Sequence, residues 1–194
     1  MTPALILPDR KYEKSYRDYI AELGDEERYP FQMDLEHDDF GALLDRLRDF
    51  ADGVDIPAGY VPSSTYWLVQ GEELVGVSSL RHWLSDELRE RGGHIGLGIR
   101  PSRRGRGLGS RLLGLTIREA RSRDIGDVLI HCYEGNEASA RMIERNGGVL
   151  QSGISVDGPG EVVQRYVVPA AMGRGLRSTS GTVAGSRDSS GSEA

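Results

Sequence analysis

The chain has 194 residues, 28% of them charged and 38% hydrophobic, with a formal net charge of −6. That length suits one domain with tails and can bury a core, while the negative charge and a pI near 5.3 argue against a general nucleic-acid binder. The single cysteine, Cys132, excludes a disulfide within the chain and fits a reducing compartment. No apolar run has membrane-spanning length and no signal-peptide pattern opens the chain, so a cytoplasmic protein with no membrane or nucleic-acid partner is expected.

Residues 2–8 read as a short extended lead-in. Asp9 can cap a helix running to about Leu23, with Tyr12, Tyr16, Tyr19, Ile20 and Leu23 on one stripe. The run Gly24-Asp25-Glu26-Glu27 breaks it. Residues 31–40 are acidic, through Asp34, Glu36, Asp38 and Asp39, and suggest a loop that could attract a cation or simply be solvated. A second helix follows from about Asp39 to Phe50, its apolar face formed by Phe40, Leu43, Leu44, Leu47 and Phe50. Tyr66–Val69 and Leu74–His82 read as strands joined by a hairpin turn at Gln70–Glu73. Ser85–Arg91 is a polar, helical insertion closed by Gly92-Gly93.

The stretch His94–Ser110 organises the rest. It begins as an apolar strand and passes Arg100-Pro101, where proline ends ladder donation. It then becomes a turn of arginines and glycines leading into a helix with Leu112, Leu113, Thr116, Ile117 and Ala120 on one side. A strand, a glycine-rich turn and a helix start form an anion site, because free backbone N–H groups converge where the helix dipole is positive. Gly105, Gly107 and Gly109 allow close backbone approach, and Arg103, Arg104 and Arg106 supply charge for phosphate oxygens. The run lacks the Gly-Lys-Ser/Thr ending of a P-loop and the Gly-x-Gly-x-x-Gly spacing of a dinucleotide fold. Val128–Tyr133 is a further strand, in which Val128, Ile130 and Cys132 alternate with Leu129, His131 and Tyr133. Asn136 caps a short helix ending before Asn146-Gly147-Gly148. Val149–Val156 and Glu161–Val168 form a hairpin through Asp157–Gly160. The Gly-, Ser- and Arg-rich stretch 173–194 has too few large apolar residues to order and is expected to be a disordered tail on a domain spanning 1–172.

Arg104-Gly105-Arg106-Gly107-Leu108-Gly109 resembles the Arg/Gln-x-x-Gly-x-Gly/Ala motif of the GNAT acyltransferases, and Asn136 and Ser139 match that family's Asn-x-x-Ala/Ser pattern. The element order over residues 9–168 is similar as well. Several segments, among them Arg81-His82, Gly93–Gly96 and Ile143–Gly148, resemble a bacterial branch of predicted acetyltransferases. The resemblance implies an α/β fold: a mixed, mostly antiparallel sheet with helices on both faces. It implies that two central strands splay apart to admit the pantetheine arm of acetyl-CoA, as cosubstrate, against the backbone of Leu97–Ile99. It assigns cofactor contacts to Leu97, Ile99, Arg103, Arg104, Gly105, Arg106, Gly107, Leu108, Gly109, Ser110, Asn136 and Ser139. It leaves a homodimer open, and no metal is expected.

The implied activity is N-acetylation of a primary amine on a small molecule or protein, the alternative being a non-catalytic acyl-CoA-binding module. In many members a tyrosine seven residues after the motif asparagine protonates the leaving thiolate. Here that position is Ile143, which cannot. Tyr133 and Tyr166 are candidate substitutes, each of which reads more readily as a half-buried packing tyrosine. His94, at the start of the core strand, is the candidate base, with His82 and Glu134 as further candidates. By register His94 points opposite Ile95 and Leu97, unless a bulge at Gly92-Gly93 intervenes, and a hydrogen-bonded structural imidazole is the favoured reading.

Overall fold

A computed structural model describes residues 1–156 and 161–170. The Asp157–Gly160 turn and the tail from residue 173 lie outside the described residues. The first layer forms as the sequence dictates. The Asp9 carboxylate accepts the Lys11 N–H and starts a 3-10 turn that runs into α1 (Glu13–Leu23). The Asp39 carboxylate accepts from the N–H groups of Gly41 and Ala42 and starts α2 (Phe40–Asp52). Gly53, at φ 75°, ends it in the left-handed region where glycine carries no Cβ penalty.

These helices cover one face of a four-stranded sheet in which every neighbouring pair is antiparallel. Its strands are β1 (Ala4–Ile6), β2 (Ser63–Gln70), β3 (Glu73–Arg81) and β4 (Ile95–Ile99), in that order. The lead-in is therefore an edge strand, with Ala4 opposite Val69 and Ile6 opposite Trp67. A strand of three residues is too short to show alternation in sequence.

On β2, Trp67 and Val69 face the α1–α2 layer, whereas Leu68 faces the other side. A register shift between Leu68 and Val69 pairs them with Gly76 and Leu74, leaving Val75 as the extra residue of a bulge. The bulge lets Leu74 and Val77 share the α1–α2 face while Val75 joins Leu68 and Leu112 beneath α4 (Leu108–Ser122). Leu112 and Leu113 are fully buried, each contributing about 1.5–3 kcal/mol by leaving water.

A second, three-stranded sheet follows the order β5 (Val128–Tyr133), β7 (Glu161–Val168), β6 (Val149–Val156) and is also antiparallel. Ser85 caps α3 (Asp86–Arg91), and α5 (Glu137–Arg145) packs beside α4. The fold is thus α/β with helices on both faces, but the expected single sheet is divided at its middle. Between β4 and β5 there is one isolated bridge, Gly93 to Ile130, beside a 2.7 Å bond from the His94 N–H to the Leu129 carbonyl. Past that point the two strands are the outer edges of separate sheets.

Candidate active site

The divergence of β4 and β5 opens a cleft of about 440 Å³. Leu97, Gly98 and Ile99 form one wall and His131, Cys132 and Tyr133 the other. No ladder occupies the facing edges there, so backbone N–H and C=O groups are available to a ligand carrying amides. The cleft shares Ile99, Arg104 and Ser139 with a second hollow of about 380 Å³ at the starts of α4 and α5, so the two adjoin.

At its far end α4 starts after Gly107, whose φ of 75° needs glycine, and no side chain caps it. The first bond back to the turn runs from the Arg111 N–H to the Gly107 carbonyl, which leaves the N–H groups of Leu108, Gly109 and Ser110 in the orphan first turn. Gly105 also has positive φ, and a Cβ added at Gly105 or Gly107 would meet nothing within 4 Å. The space before this helix is open, electropositive and lined by backbone donors, which fits a pyrophosphate.

Three expected contacts differ in detail. Gly109 serves the packing of the helices. Its missing Cβ would lie 3.0 Å from the Met142 sulfur and 3.7 Å from Ile99, so glycine here lets α4 approach α5 and β4. The Ser110 hydroxyl and carbonyl both accept from the Asn146 side-chain amide, at 3.1 Å each, clasping the end of α5 to α4. Arg103 lines the hollow but is held by Glu73 at the start of β3, with Nε to carboxylate at 2.8 Å. Arg104 bonds the Ile99 carbonyl and Glu26, at 3.0 and 2.7 Å, and stays about half exposed where the two hollows adjoin. Arg106 is exposed. On α5, the Asn136 side-chain oxygen accepts the Ser139 N–H at 3.0 Å, and both residues line the cleft.

The expected catalytic groups separate. Tyr133 lines the cleft with 56% of its surface exposed. His94 does not line it. His94 lies at the junction where β4 and β5 still touch, is buried, and accepts the Leu129 N–H on Nδ1 at 3.0 Å. Burial, with the charges of Arg89 and Arg81, pushes its pKa down to about 4, so it is neutral at physiological pH and a poor proton acceptor. The structure thus places His94 at the seam of the two sheets, apart from the cleft wall. His82 bonds Ser64 at 2.9 Å, and Tyr166 is buried with its hydroxyl donating to Gln164 at 2.9 Å. Neither of these, nor Glu134, lines the cleft. Ile143 is 1% exposed in the core under α5.

Residues that sequence reasoning passed over also meet here. Tyr19 and Tyr29 close the cleft from the α1 side, and burial raises the pKa of both phenols. His131 presents two buried ring nitrogens with no hydrogen-bond partner. Its pKa falls to about 4, first through burial and then through Arg165, with the nearby Arg91 backbone opposing the shift. A readable signal for Tyr29 was Gly96-x-Gly98, two glycines on one strand face, which mark a close approach. A Cβ at Gly98 would collide with the Tyr29 carbonyl, and one at Gly96 would come within 2.7 Å of its hydroxyl.

Beyond Tyr29 the cleft opens into a basin of about 690 Å³, sharing Glu27 and Tyr29 with it. Of the acidic stretch 31–40 only Asp34 lines this basin, because Asp39 caps α2 and the Glu36 carboxylate accepts from the N–H groups of His37 and Asp38. The acids on its rim are chiefly Asp25, Glu26 and Glu27. Among the described residues no group of three or more His, Cys, Asp or Glu side chains could hold a metal ion, and no helix is long and apolar enough to cross a membrane.

Two sheets parted over an uncapped, glycine-rich helix start define a coenzyme-dependent acyltransferase of the type the motifs resemble. The chain belongs to the acetyltransferase (GNAT) family, whose model matches residues 13–148. Its fold is similar to that of yncA from Salmonella typhimurium, solved with its cofactor acetyl-CoA, at 17% identity and a TM-score of 0.61 over 90% of this chain and 98% of that one. It is similar too to an acetyl transferase of Salmonella typhimurium that modifies the N-terminal serine of ribosomal protein L7/L12, with 19% identity and a TM-score of 0.61 over 88% and 96%. The ribosomal-protein-S5-alanine acetyltransferase of Vibrio fischeri gives 13% identity and a TM-score of 0.63 over 88% and 94%. No curated protein is significantly similar to the chain in sequence.

Proposed function

We propose that this protein transfers the acetyl group of acetyl-CoA to a primary amine. The observation that carries the reading is the pair of adjoining hollows, one between the unladdered edges of β4 and β5 and the other at the uncapped start of α4. Acetyl-CoA supplies the activated thioester. The edge of Leu97–Ile99 would hold its amide-bearing arm, with one strand N–H placed to receive the oxyanion. Gly105, Gly107 and the first-turn N–H groups of Leu108, Gly109 and Ser110 would hold its pyrophosphate, flanked by Arg104 and Arg106. Asn136 and Ser139 would meet it from α5. Tyr133 is assigned as proton donor to the departing thiolate, being a phenol on the wall of the cleft. Proton removal from the amine is assigned to water in the cleft, since His94 is committed to Leu129 and burial leaves the His131 imidazole only weakly basic. With its single thiol, Cys132, the protein suits the cytoplasm.

Calorimetry with coenzyme A tests the cradle. Gly107→Asp puts a carboxylate at the helix start, and affinity should fall by about tenfold or more, equivalent to about 1.4 kcal/mol, in a protein that still folds but melts somewhat lower because a Cβ at positive φ is strained. Unchanged affinity overturns the assignment. Thiol release with an amine panel tests the transfer. Tyr133→Phe should then lose about 100-fold in turnover at constant coenzyme affinity, and near-parental turnover removes Tyr133 from the mechanism.

A further inference from the structure

The groups around the acceptor basin carry charges of both signs, and their placement restricts what can sit there. Arg81 ends β3 and lines the basin. One arm of its guanidinium donates to the carbonyls of Gly92 and Gly93, at 3.3 and 2.8 Å, which fixes the group in place. Among the described residues no carboxylate pairs with it, and the groups that act on it electrostatically are the phenols of Tyr29 and Tyr60. A largely desolvated guanidinium without a counter-charge is costly unless an anion is meant to meet it. The remaining arm has the fork geometry that a carboxylate fits.

A second observation comes from β5. His131 stands on the same strand face as Tyr133, its ring nitrogens are buried, and it lines the cleft that meets the basin at Glu27 and Tyr29. The basin therefore holds a guanidinium without a paired carboxylate at Arg81, while Asp25 and Glu26 are exposed at its edge and Glu27 stands with Tyr29 where the basin meets the cleft. A polyamine would satisfy the rim and be repelled by Arg81. A polypeptide N-terminus would bring an amine but no α-carboxylate.

We propose that the acceptor is a free amino acid, its carboxylate seated on Arg81 and its amine directed past Tyr29 and Glu27 toward the thioester end of the cleft. This rests on the acetyl-transfer reading above and adds the substrate class. Arg81 is a specificity residue: it binds the far end of the acceptor and leaves the reacting atoms to the cleft.

The test is thiol release by the full chain with acetyl-CoA and three matched sets of acceptors: the twenty standard L-amino acids, their α-carboxamides, and the corresponding decarboxylated amines with spermidine and an alanine- or serine-initiated peptide. At least one amino acid should exceed its carboxamide by about 100-fold in kcat/KM, the loss expected when a buried charged partner is left unpaired. Arg81→Gln should bring that ratio near one, chiefly by raising the KM for the amino acid, with the KM for acetyl-CoA unchanged. Since Arg81 also anchors the Gly92-Gly93 turn, Arg81→Lys serves as a second variant that keeps a donor there, and it should retain only part of the preference.

Carboxamides, peptide or spermidine acetylated as well as the amino acids would overturn the proposal, as would a preference that survives Arg81→Gln in a folded protein. If no amine in any set releases thiol although coenzyme A binds, it is the acetyl-transfer reading that fails. Calorimetry of the same amino acids and carboxamides on the coenzyme A-loaded protein then decides the Arg81 site alone. Tighter binding of the amino acid, lost in Arg81→Gln, supports it; equal binding overturns it.

Discussion

Replacing Glu22 by Gln should destabilise the protein in a way that depends on pH. Arg100 leaves β4 at the cleft and turns into the body of the protein, where its Nε donates to the Glu22 carboxylate of α1 at 2.7 Å. The guanidinium side chain is 10% exposed and that of Glu22 31%. Glu73 adds a contact at 3.5 Å and is itself held by Arg103. The hydrogen bond from Arg100 is the main cause that lowers the Glu22 pKa from 4.5 to about 2. A carboxyl that is more acidic folded than unfolded stabilises the fold fully above the unfolded value, and the contribution is lost as pH falls from 4.5 toward 2. That displacement corresponds to at most about 3 kcal/mol, and partial exposure screens it to about 1–2 kcal/mol. Urea denaturation at pH 7 should therefore find Glu22→Gln less stable than the parent by about 1–2 kcal/mol, and the difference should shrink toward zero near pH 2. A difference that persists undiminished at pH 2.5 would refute the charge argument and make Glu22 a packing residue.

The remaining predictions concern close packing. Gly98→Ala drives a methyl into the Tyr29 carbonyl, so it should cost about 1–3 kcal/mol in denaturant and shift the acceptor KM more than that of acetyl-CoA, because Tyr29 stands on the acceptor side. A tolerated alanine with unchanged kinetics would show that the Tyr29 loop yields freely. Ile143→Val should cost about 0.5–1.5 kcal/mol in a melt and leave kcat within a few-fold, since Ile143 packs in the core and lines neither hollow. A large loss of turnover without loss of stability would contradict that.

Local rules made most of the fold legible. Asp9, Asp39, Ser85 and Asn136 each hold the N–H groups of the helix or turn they precede. The strand–glycine–helix unit that became β4 and α4 was readable because Gly105 and Gly107 need positive φ. What escaped depended on contacts between distant segments. β1 becomes a strand only because β2 offers an edge. Arg103 reads as a phosphate ligand until Glu73, thirty residues earlier, is seen to take it. The acceptor side was the least readable: Tyr29, Arg81 and His131 belong to three different segments, and no spacing rule ties them together.

The distinction between Gly107 and Gly109 shows why the cofactor end should be polarised toward α4. Gly109 and Gly114 are small so that α5 can lie close: a Cβ at Gly114 would come within 2.7 Å of the Asn146 side-chain oxygen. Asn146 in turn spans the gap, its amide donating to Ser110 on α4 and to the Met142 carbonyl on α5. Two helices clasped in this way present their N-termini to one hollow, where Ser139 and Gly107 line the same space. The ends are unequal, however. Asn136 already satisfies one donor at the start of α5, whereas α4 has no side-chain cap. An anion entering the hollow gains most at α4, because its orphan N–H groups have no competing acceptor. On the acetyl-transfer reading proposed above, the diphosphate of the coenzyme is expected at Gly105–Ser110, with the α5 start left to orient the arm that leads back to the parted strands.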